Sequence, residues 1–290
     1  MVYLQIRFSV FIAIILVYPT IAFSQVETES AIKKENKRPA HLDISFGLSY
    51  SSFRDFATSP LAYSGRPFYI SISHVDMDER RASEITGSYS FGTYRNIFND
   101  QTSESKVNTI SLNYLELFQI KKWSGQKLNL KVGGQFNSTF NLRNNEALFN
   151  NSEGVDIISA LFGSVRATID LSRKEEVDKK FIFIRYKAKK QVRNLSFTMN
   201  IGLINSSYRN GFAYTSSSVP INEDDFFVDY EFNVFRGFRL NSALDYTIFL
   251  HNKNAIQFSY LWDAYRTGGH HDNFQMASHT IKCSLLFGLR

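Results

Sequence analysis

Two runs near the end of the chain decide the predicted fold. They are Ala255-Ile256-Gln257-Phe258-Ser259-Tyr260-Leu261-Trp262 and His279-Thr280-Ile281-Lys282-Cys283-Ser284-Leu285-Leu286-Phe287-Gly288-Leu289-Arg290. Apolar and polar residues alternate in both runs. Because the side chains of a β-strand point alternately to its two faces, each run predicts a strand with one apolar and one polar face. We expect the final strand to close a sheet.

Earlier runs share this two-residue period. They predict strands at 42–50, 68–73, 82–95, 107–119, 128–142, 155–171, 195–206 and 238–250. With the closing pair this makes about ten strands, most of them long enough for the roughly 9–11 residues that cross a bilayer at a tilt. Polar stretches predict loops at 55–66, 96–106, 144–154 and 210–235. Residues 172–193 predict a long turn, with a short extra hairpin as the alternative, so that twelve strands are possible.

The predicted fold class is all-β: a single transmembrane antiparallel up-and-down β-barrel. Predicted connections are short after the second, fourth and eighth strands and longer at the opposite end, which is the pattern of a barrel with both termini in the periplasm. The alternative is a secreted β-sandwich. Soluble strands are usually about 5–6 residues long, and most of the predicted runs are about twice that length, which favours the barrel.

The start of the chain predicts a cleaved signal peptide at residues 1–24. Arg7 precedes a short apolar run, Pro19 ends it, and Ala22 and Ser24 provide the small residues before a cut at Gln25. An uncleaved anchor helix is the alternative. Residues 25–40 are polar and predict a periplasmic tail before a barrel at 41–290. No later stretch has the roughly 20 apolar residues of a membrane-spanning helix.

The composition limits the classes of partner and bound group that we expect. The formal charge is +6, and 43% of the residues are hydrophobic. Because basic residues do not gather with aromatic residues on one surface, we expect no nucleic-acid partner. Cys283 is the single cysteine, which excludes an intramolecular disulfide and a multi-cysteine metal site. We expect no cofactor and no metal.

The signal peptide, the alternating runs and the terminal strand together resemble bacterial outer-membrane β-barrel proteins. Leu285, Phe287 and Leu289 match the alternation of their C-terminal assembly signal, whereas Arg290 stands where an aromatic residue is usual. The Asn- and Tyr-rich composition with Phe-Gly and Leu-Gly pairs resembles barrels of the Bacteroidota. The resemblance covers residues 41–290. It implies outer-membrane lipid and the barrel-assembly machinery as partners, and it transfers no functional residue.

Charged residues on the predicted inward faces are the candidate lumen-lining groups. They are Lys131, Arg166, Asp170, Arg239, Asp245 and Lys282. Both charge signs occur, so the pattern fits either an interior filled by paired charges or a narrow pore.

The stretch from Trp262 to Asn273 holds the only candidates for chemistry. His270, His271, Asp272 and Asp263 are weak candidates for general-base activation of water at an extracellular rim, as in the ten-stranded omptin proteases. A solvated loop is the alternative. We therefore expect a non-enzymatic barrel of structural, interaction or small-channel type. The alternatives are a rim-active hydrolase, or a barrel subunit of an export or uptake complex that docks a periplasmic protein through residues 172–193 and 25–40.

Overall fold

The computed structural model describes residues 38–98, 101–173, 175–181, 184–210, 230–269 and 273–289. The strands are β1 (Ala40–Asp55), β2 (Ser59–Gly65), β3 (Phe68–Met77), β4 (Arg81–Phe98), β5 (Gln101–Gln119), β6 (Leu128–Asn144), β7 (Glu153–Asp170), β8 (Val177–Phe181), β9 (Ile184–Ala188), β10 (Arg193–Asn210), β11 (Tyr230–Val234), β12 (Gly237–Phe249), β13 (Ala255–Thr267) and β14 (Phe274–Gly288). Two short 3₁₀ helices span Lys121–Trp123 and Glu146–Asn151. No helix in the described ranges has the length and apolar character needed to cross a membrane. The predicted signal peptide lies outside these ranges, as does the predicted tail up to residue 37.

Ten of the described strands form a closed antiparallel ring. Their order around it is β1, β3, β4, β5, β6, β7, β10, β12, β13 and β14. The last strand returns to the first, and their pairing runs from His41↔Gly288 to Asp55↔Phe274. The ring leaves no barrel strand with an open edge along its paired length. The predicted antiparallel barrel of about ten strands is confirmed.

Two further strands extend positions of this ring. β2 lies between β1 and β4, beyond the point where β3 begins, and β11 continues along β10 beyond the start of β12. Pro67 separates β2 from β3, and Phe235, with φ of 56°, separates β11 from β12. β2 and β3 together therefore form one interrupted barrel strand, and β11 and β12 form another.

Three of the predicted loops were wrong in part, because polar residues there pair as strand. β2 occupies most of 55–66, where Tyr63 is buried inside the barrel. The range 96–106 belongs to β4 and β5, which stay paired up to Phe98↔Gln101. β11 occupies 230–234, while residues 211–229 lie outside the described part of the chain. In 172–193 the short hairpin alternative is present as β8 and β9.

The two ends of the barrel are built differently. The terminal end is where β1 begins and β14 ends, and the connections at 78–80, 120–127 and 250–254 lie there. The opposite end is the loop end. In the turn at 78–80, the Asp78 carboxylate accepts hydrogen bonds from the backbone N–H groups of Arg80 and Arg81. Partial burial raises the pKa of Asp78, but these bonds outweigh it, so that the pKa lies below its ordinary value.

Hydroxyl and amide side chains line the inside of the ring. Ser45 and Ser284 hydroxyls lie 2.7 Å apart across the β1–β14 seam, and Ser49 and Thr280 repeat this contact four residues along β1. These contacts satisfy polar groups that the ring removes from bulk solvent. The polar residues that the sequence pattern places on the inward faces therefore form hydrogen bonds between neighbouring strands.

Large apolar side chains cover the outside of the ring. On β1 the outward residues run from Leu42 to Tyr50, and Phe46 and Leu48 are 64% and 60% exposed. Eight residue steps at about 3.4 Å each, tilted by about 40°, give an apolar band about 21 Å tall, which is close to the roughly 25 Å band of membrane barrels. The single cysteine, Cys283, is exposed on this face between Phe46 and Phe258.

The close approach of β5 and β6 predicts a specific defect. A Cβ added at Gly133 would overlap the backbone carbonyl oxygen of Glu116, whereas one at Gly134 would have its nearest neighbour at 3.4 Å. We expect Gly133→Ala to lower the free energy of unfolding by about 1–3 kcal/mol because the strands must separate. Gly134→Ala is the matched control and is expected to change it by less than about 1 kcal/mol.

Urea unfolding of the folded protein in detergent, followed by the heat-modifiable shift on a gel, measures both variants. Equal midpoints for Gly133→Ala and Gly134→Ala would contradict the close strand approach.

Candidate functional site in the barrel lumen

Four buried charged side chains meet at the loop end of the lumen. Asp55 ends β1, Arg143 lies on β6, Asp156 on β7 and Arg209 on β10, and each side chain is at most 7% exposed. Arg143 donates to Asp55 at 2.5 Å and to Asp156 at 2.8 Å. Arg209 donates to Asp55 at 2.6 Å and to Asp156 at 3.1 Å. Each carboxylate is therefore shared by both guanidinium groups.

This ion quartet spans the barrel. Around the ring, β3, β4 and β5 separate β1 from β6 on one side, and β14, β13 and β12 separate β1 from β10 on the other. Asp55 thus comes from the wall opposite the other three residues. The quartet has no net charge, and the charge-assisted hydrogen bonds offset part of the cost of removing four charges from water.

Aromatic rings pack against the quartet. Phe53 stacks on Tyr63 and on Phe274, with ring centroids 5.2 Å and 5.6 Å apart. The guanidinium groups of Arg143 and Arg209 lie 5.0 Å and 5.5 Å from the Phe274 ring centroid. The cluster is completed by Tyr94, Val107, Ile158 and Tyr265. We call the ion quartet and these rings together the plug.

A cavity of ≈ 280 Å³, lined by both polar and apolar side chains, lies inside the ring. Its lining runs from plug residues such as Tyr94 and Tyr265 to Met77 and Leu286, which lie near the terminal end. Three ion pairs face this cavity. They are Arg239–Asp263 at 2.7 Å, Arg166–Glu84 at 3.4 Å and Lys282–Asp43 at 3.8 Å.

Four of the candidate lumen residues line this cavity: Arg166, Arg239, Asp245 and Lys282. Lys131 is buried, and its Nζ donates to the backbone carbonyl of Asp78 at the terminal end. Asp170 is exposed at the end of β7, where its carboxylate accepts a hydrogen bond from the backbone N–H of Ser172.

The candidates for chemistry do not come together in the described residues. His270, His271 and Asp272 lie outside them. Asp263 is on β13 and accepts two hydrogen bonds from Arg239, so it faces the cavity. In the same described ranges, no three His, Cys, Asp or Glu side chains are placed to hold a metal ion.

From the sequence alone, no role is predicted for the residues of the quartet. Asp55 lies in the predicted loop 55–66, and Arg143 and Arg209 follow the predicted strands 128–142 and 195–206. Asp156 lies in the predicted strand 155–171, but it is not among the candidate lumen residues. A signal was present: Asn137, Thr139 and Asn141 occupy alternate inward positions of β6, and Arg143 is the next inward position. Extending the two-residue period to the end of the strand predicts that the Arg143 side chain faces the lumen.

Comparisons with known proteins give no family. No protein-family model matches the chain, and no curated protein matches it. Among solved structures, it is similar to the transport unit of the autotransporter AIDA-I from Escherichia coli (10% identity, TM-score 0.35, covering 91% of this chain and 96% of that one). It is also similar to the translocator domain of the autotransporter NalP from Neisseria meningitidis (9%, 0.35, 95% and 95%). A third similar structure is the COG4313 outer membrane channel from Pseudomonas putida F1 (11%, 0.29, 89% and 100%). The barrel itself follows from the strand pairing.

The quartet predicts unequal effects for two arginine variants. Arg143→Met leaves Asp55 and Asp156 buried with one guanidinium between them, and we expect it to lower the free energy of unfolding by about 3–5 kcal/mol. Arg95→Met is the matched control, because Arg95 forms a strand-to-strand pair with Glu104 but is 65% exposed. Its expected loss is below about 1 kcal/mol.

Urea unfolding in detergent measures both losses. Similar midpoints for the Arg143 and Arg95 variants would refute the idea that the quartet holds the loop end together.

Proposed function

We propose that the chain is an integral outer-membrane β-barrel that is closed at its loop end and acts as a structural or interaction protein, without catalysis and without a steady open pore. The observation that carries this proposal is the inverted distribution of side chains. Large apolar residues cover the outside of the ring, and charged residues are paired inside it. A soluble barrel would expose polar groups and bury apolar ones, so a lipid surrounding accounts for this pattern.

Both termini of the barrel are proposed to face the periplasm. An even number of ring strands brings β1 and β14 to the same end, which supports a common side for both termini. Aromatic residues occur near both limits of the apolar band, with Trp123 exposed at the terminal end and Tyr260 bonded to His279 on the outer face. Such residues favour membrane–water interfaces.

The plug supports the proposal that the lumen is closed rather than a small channel. Five rings and four charged groups fill the loop end, and Asp55 joins opposite walls there. An ion crossing the lumen would have to separate the buried ion pairs of the quartet. Breaking one such pair costs several kcal/mol. We therefore favour the filled interior over the pore.

A role as a subunit of a larger assembly is the second candidate. The hairpin of β8 and β9 forms a separate two-stranded sheet at the terminal end. It lies within 172–193, where basic residues are frequent. A hairpin of this kind gives a periplasmic protein a place to dock. The hydrolase hypothesis has no comparable support, since its histidines lie outside the described residues.

Lipid contact is tested through the native cysteine. A nitroxide attached to Cys283 is expected to collide readily with dissolved oxygen and rarely with a water-soluble nickel chelate, because the apolar band surrounds it. The matched control is Arg95→Cys in a Cys283→Ser background, at an exposed, charged position toward the loop end. Its label is expected to show the opposite preference.

Electron paramagnetic resonance of both labelled proteins in liposomes measures these collisions. A nickel preference at Cys283 equal to that at position 95 would exclude the lipid-facing assignment.

Closure of the lumen is tested by conductance. The unaltered protein is expected to show no steady single-channel current in a planar bilayer. Phe53→Ala combined with Phe274→Ala removes the stacked rings of the plug and is expected to allow currents. Phe46→Ala with Phe258→Ala is the matched control, because it removes two rings from the outer face.

A steady current through the unaltered protein would overturn the closed-barrel proposal. Equal currents in the two double variants would show that the plug rings are not the barrier.

A further inference from the structure

Two buried polar atoms on one wall of the cavity have no hydrogen-bond partner among the described residues. They are Nη1 of Arg239 and Oδ1 of Asn200. The Arg239 side chain is 4% exposed, and the Asn200 residue 5%. Both residues line the cavity. A buried polar atom that lacks a partner costs free energy, so this wall favours a solute that supplies one acceptor and one donor.

The two atoms lie on neighbouring strands. Asn200 pairs with Asn241, and its Nδ2 donates to the Oδ1 of Asn241 at 2.5 Å. Arg239 is two residues from Asn241 on the same face of β12. It is therefore a diagonal neighbour of Asn200, at about 7–8 Å between backbones, which is within reach of one small molecule.

The charges around this wall are already compensated. Asp263 binds two nitrogens of Arg239, Glu84 binds Arg166, and Asp43 lies at 3.8 Å from Lys282. Asp245 adds a further negative charge near Lys282. Because every Arg and Lys among the described lining residues has an acidic partner, the cavity does not favour an anion.

Most of the remaining polar lining consists of uncharged amide and hydroxyl groups. They include Asn113, Gln135, Asn137, Thr139, Thr198 and Asn241. Such groups both donate and accept, which matches solute hydroxyl groups. The volume of ≈ 280 Å³ is just below the range of about 300–1,000 Å³ typical of ligand pockets, which limits the solute to about the size of one monosaccharide.

We infer that the lumen cavity is a binding site for a small neutral polyhydroxylated solute of monosaccharide size, held by Arg239 and Asn200. The solute reaches the site from the terminal end, where the lining extends to Met77 and Leu286. This route rests on the closed loop end proposed above, whereas the site itself does not.

Saturation-transfer NMR on the full chain in detergent micelles, with D-glucose as the probe, tests the site. We expect saturable transfer to the glucose ring protons. Asn200→Ala removes the free acceptor and is expected to weaken binding by about fivefold or more. Met199→Ala, on the outer face of the same strand, is the matched control and leaves binding unchanged. Arg239→Lys keeps the charge, removes Nη1 and is expected to act like Asn200→Ala.

Glucose 6-phosphate tests the charge preference and is expected to bind more weakly than glucose. Tighter binding of the phosphate ester would overturn the neutral class. Absence of transfer from the folded protein at glucose concentrations up to about 100 mM, above the millimolar range expected for a few hydrogen bonds, would overturn the site. So would unchanged binding in both Asn200→Ala and Arg239→Lys, with folding checked by heat-modifiable migration.

The two proposals fail separately. Glucose binding by a barrel that conducts would refute the closed loop end alone, and a non-conducting barrel without glucose binding would refute the site alone.

Discussion

Closure of the ring by β1 and β14 is the constraint on which the rest of the barrel depends. Along this seam the first and last strands of the barrel pair from His41↔Gly288 to Asp55↔Phe274. In a lipid surrounding, an open edge would leave backbone N–H and C=O groups unpaired at several kcal/mol each. Closing the ring removes that cost and fixes which face of every strand is inward. The inside and outside of the molecule are therefore defined by one pairing between residues far apart in the chain.

The inside must then satisfy the polar groups that the ring encloses. Serine and threonine do so in pairs near the seam, and charged residues do so by ion pairs across strands. At the loop end this compensation crosses the whole lumen, because Asp55 binds Arg143 and Arg209 on the opposite wall. Removing a single charge there leaves another charge buried without compensation, so the quartet holds opposite walls of the barrel together.

The plug and the cavity are two regions of the lumen with different side chains. Near the plug, stacked rings and arginines fill the space, and Arg239 contacts both regions because it lies 4.9 Å from the ring centroid of Tyr265 and also faces the cavity. Arg239 thus contacts both the cavity and the plug, and the plug residues Tyr94 and Tyr265 also line the cavity. The proposed structural or interaction role rests on this arrangement, with rings and paired charges at the loop end and a cavity beside them.

The sequence by itself determined the fold class. A two-residue alternation sustained over ten runs places apolar residues on one face and polar residues on the other, and this needs no knowledge of distant contacts. The same alternation predicts that residues such as Arg239 and Lys282 face inward. The tertiary structure alone decided the pairing of those charges, the cavity and the plug. Asp55 and Arg209 are 154 positions apart, and only the closure of the ring sets the distance between opposite walls, so no local pattern could show that their side chains meet.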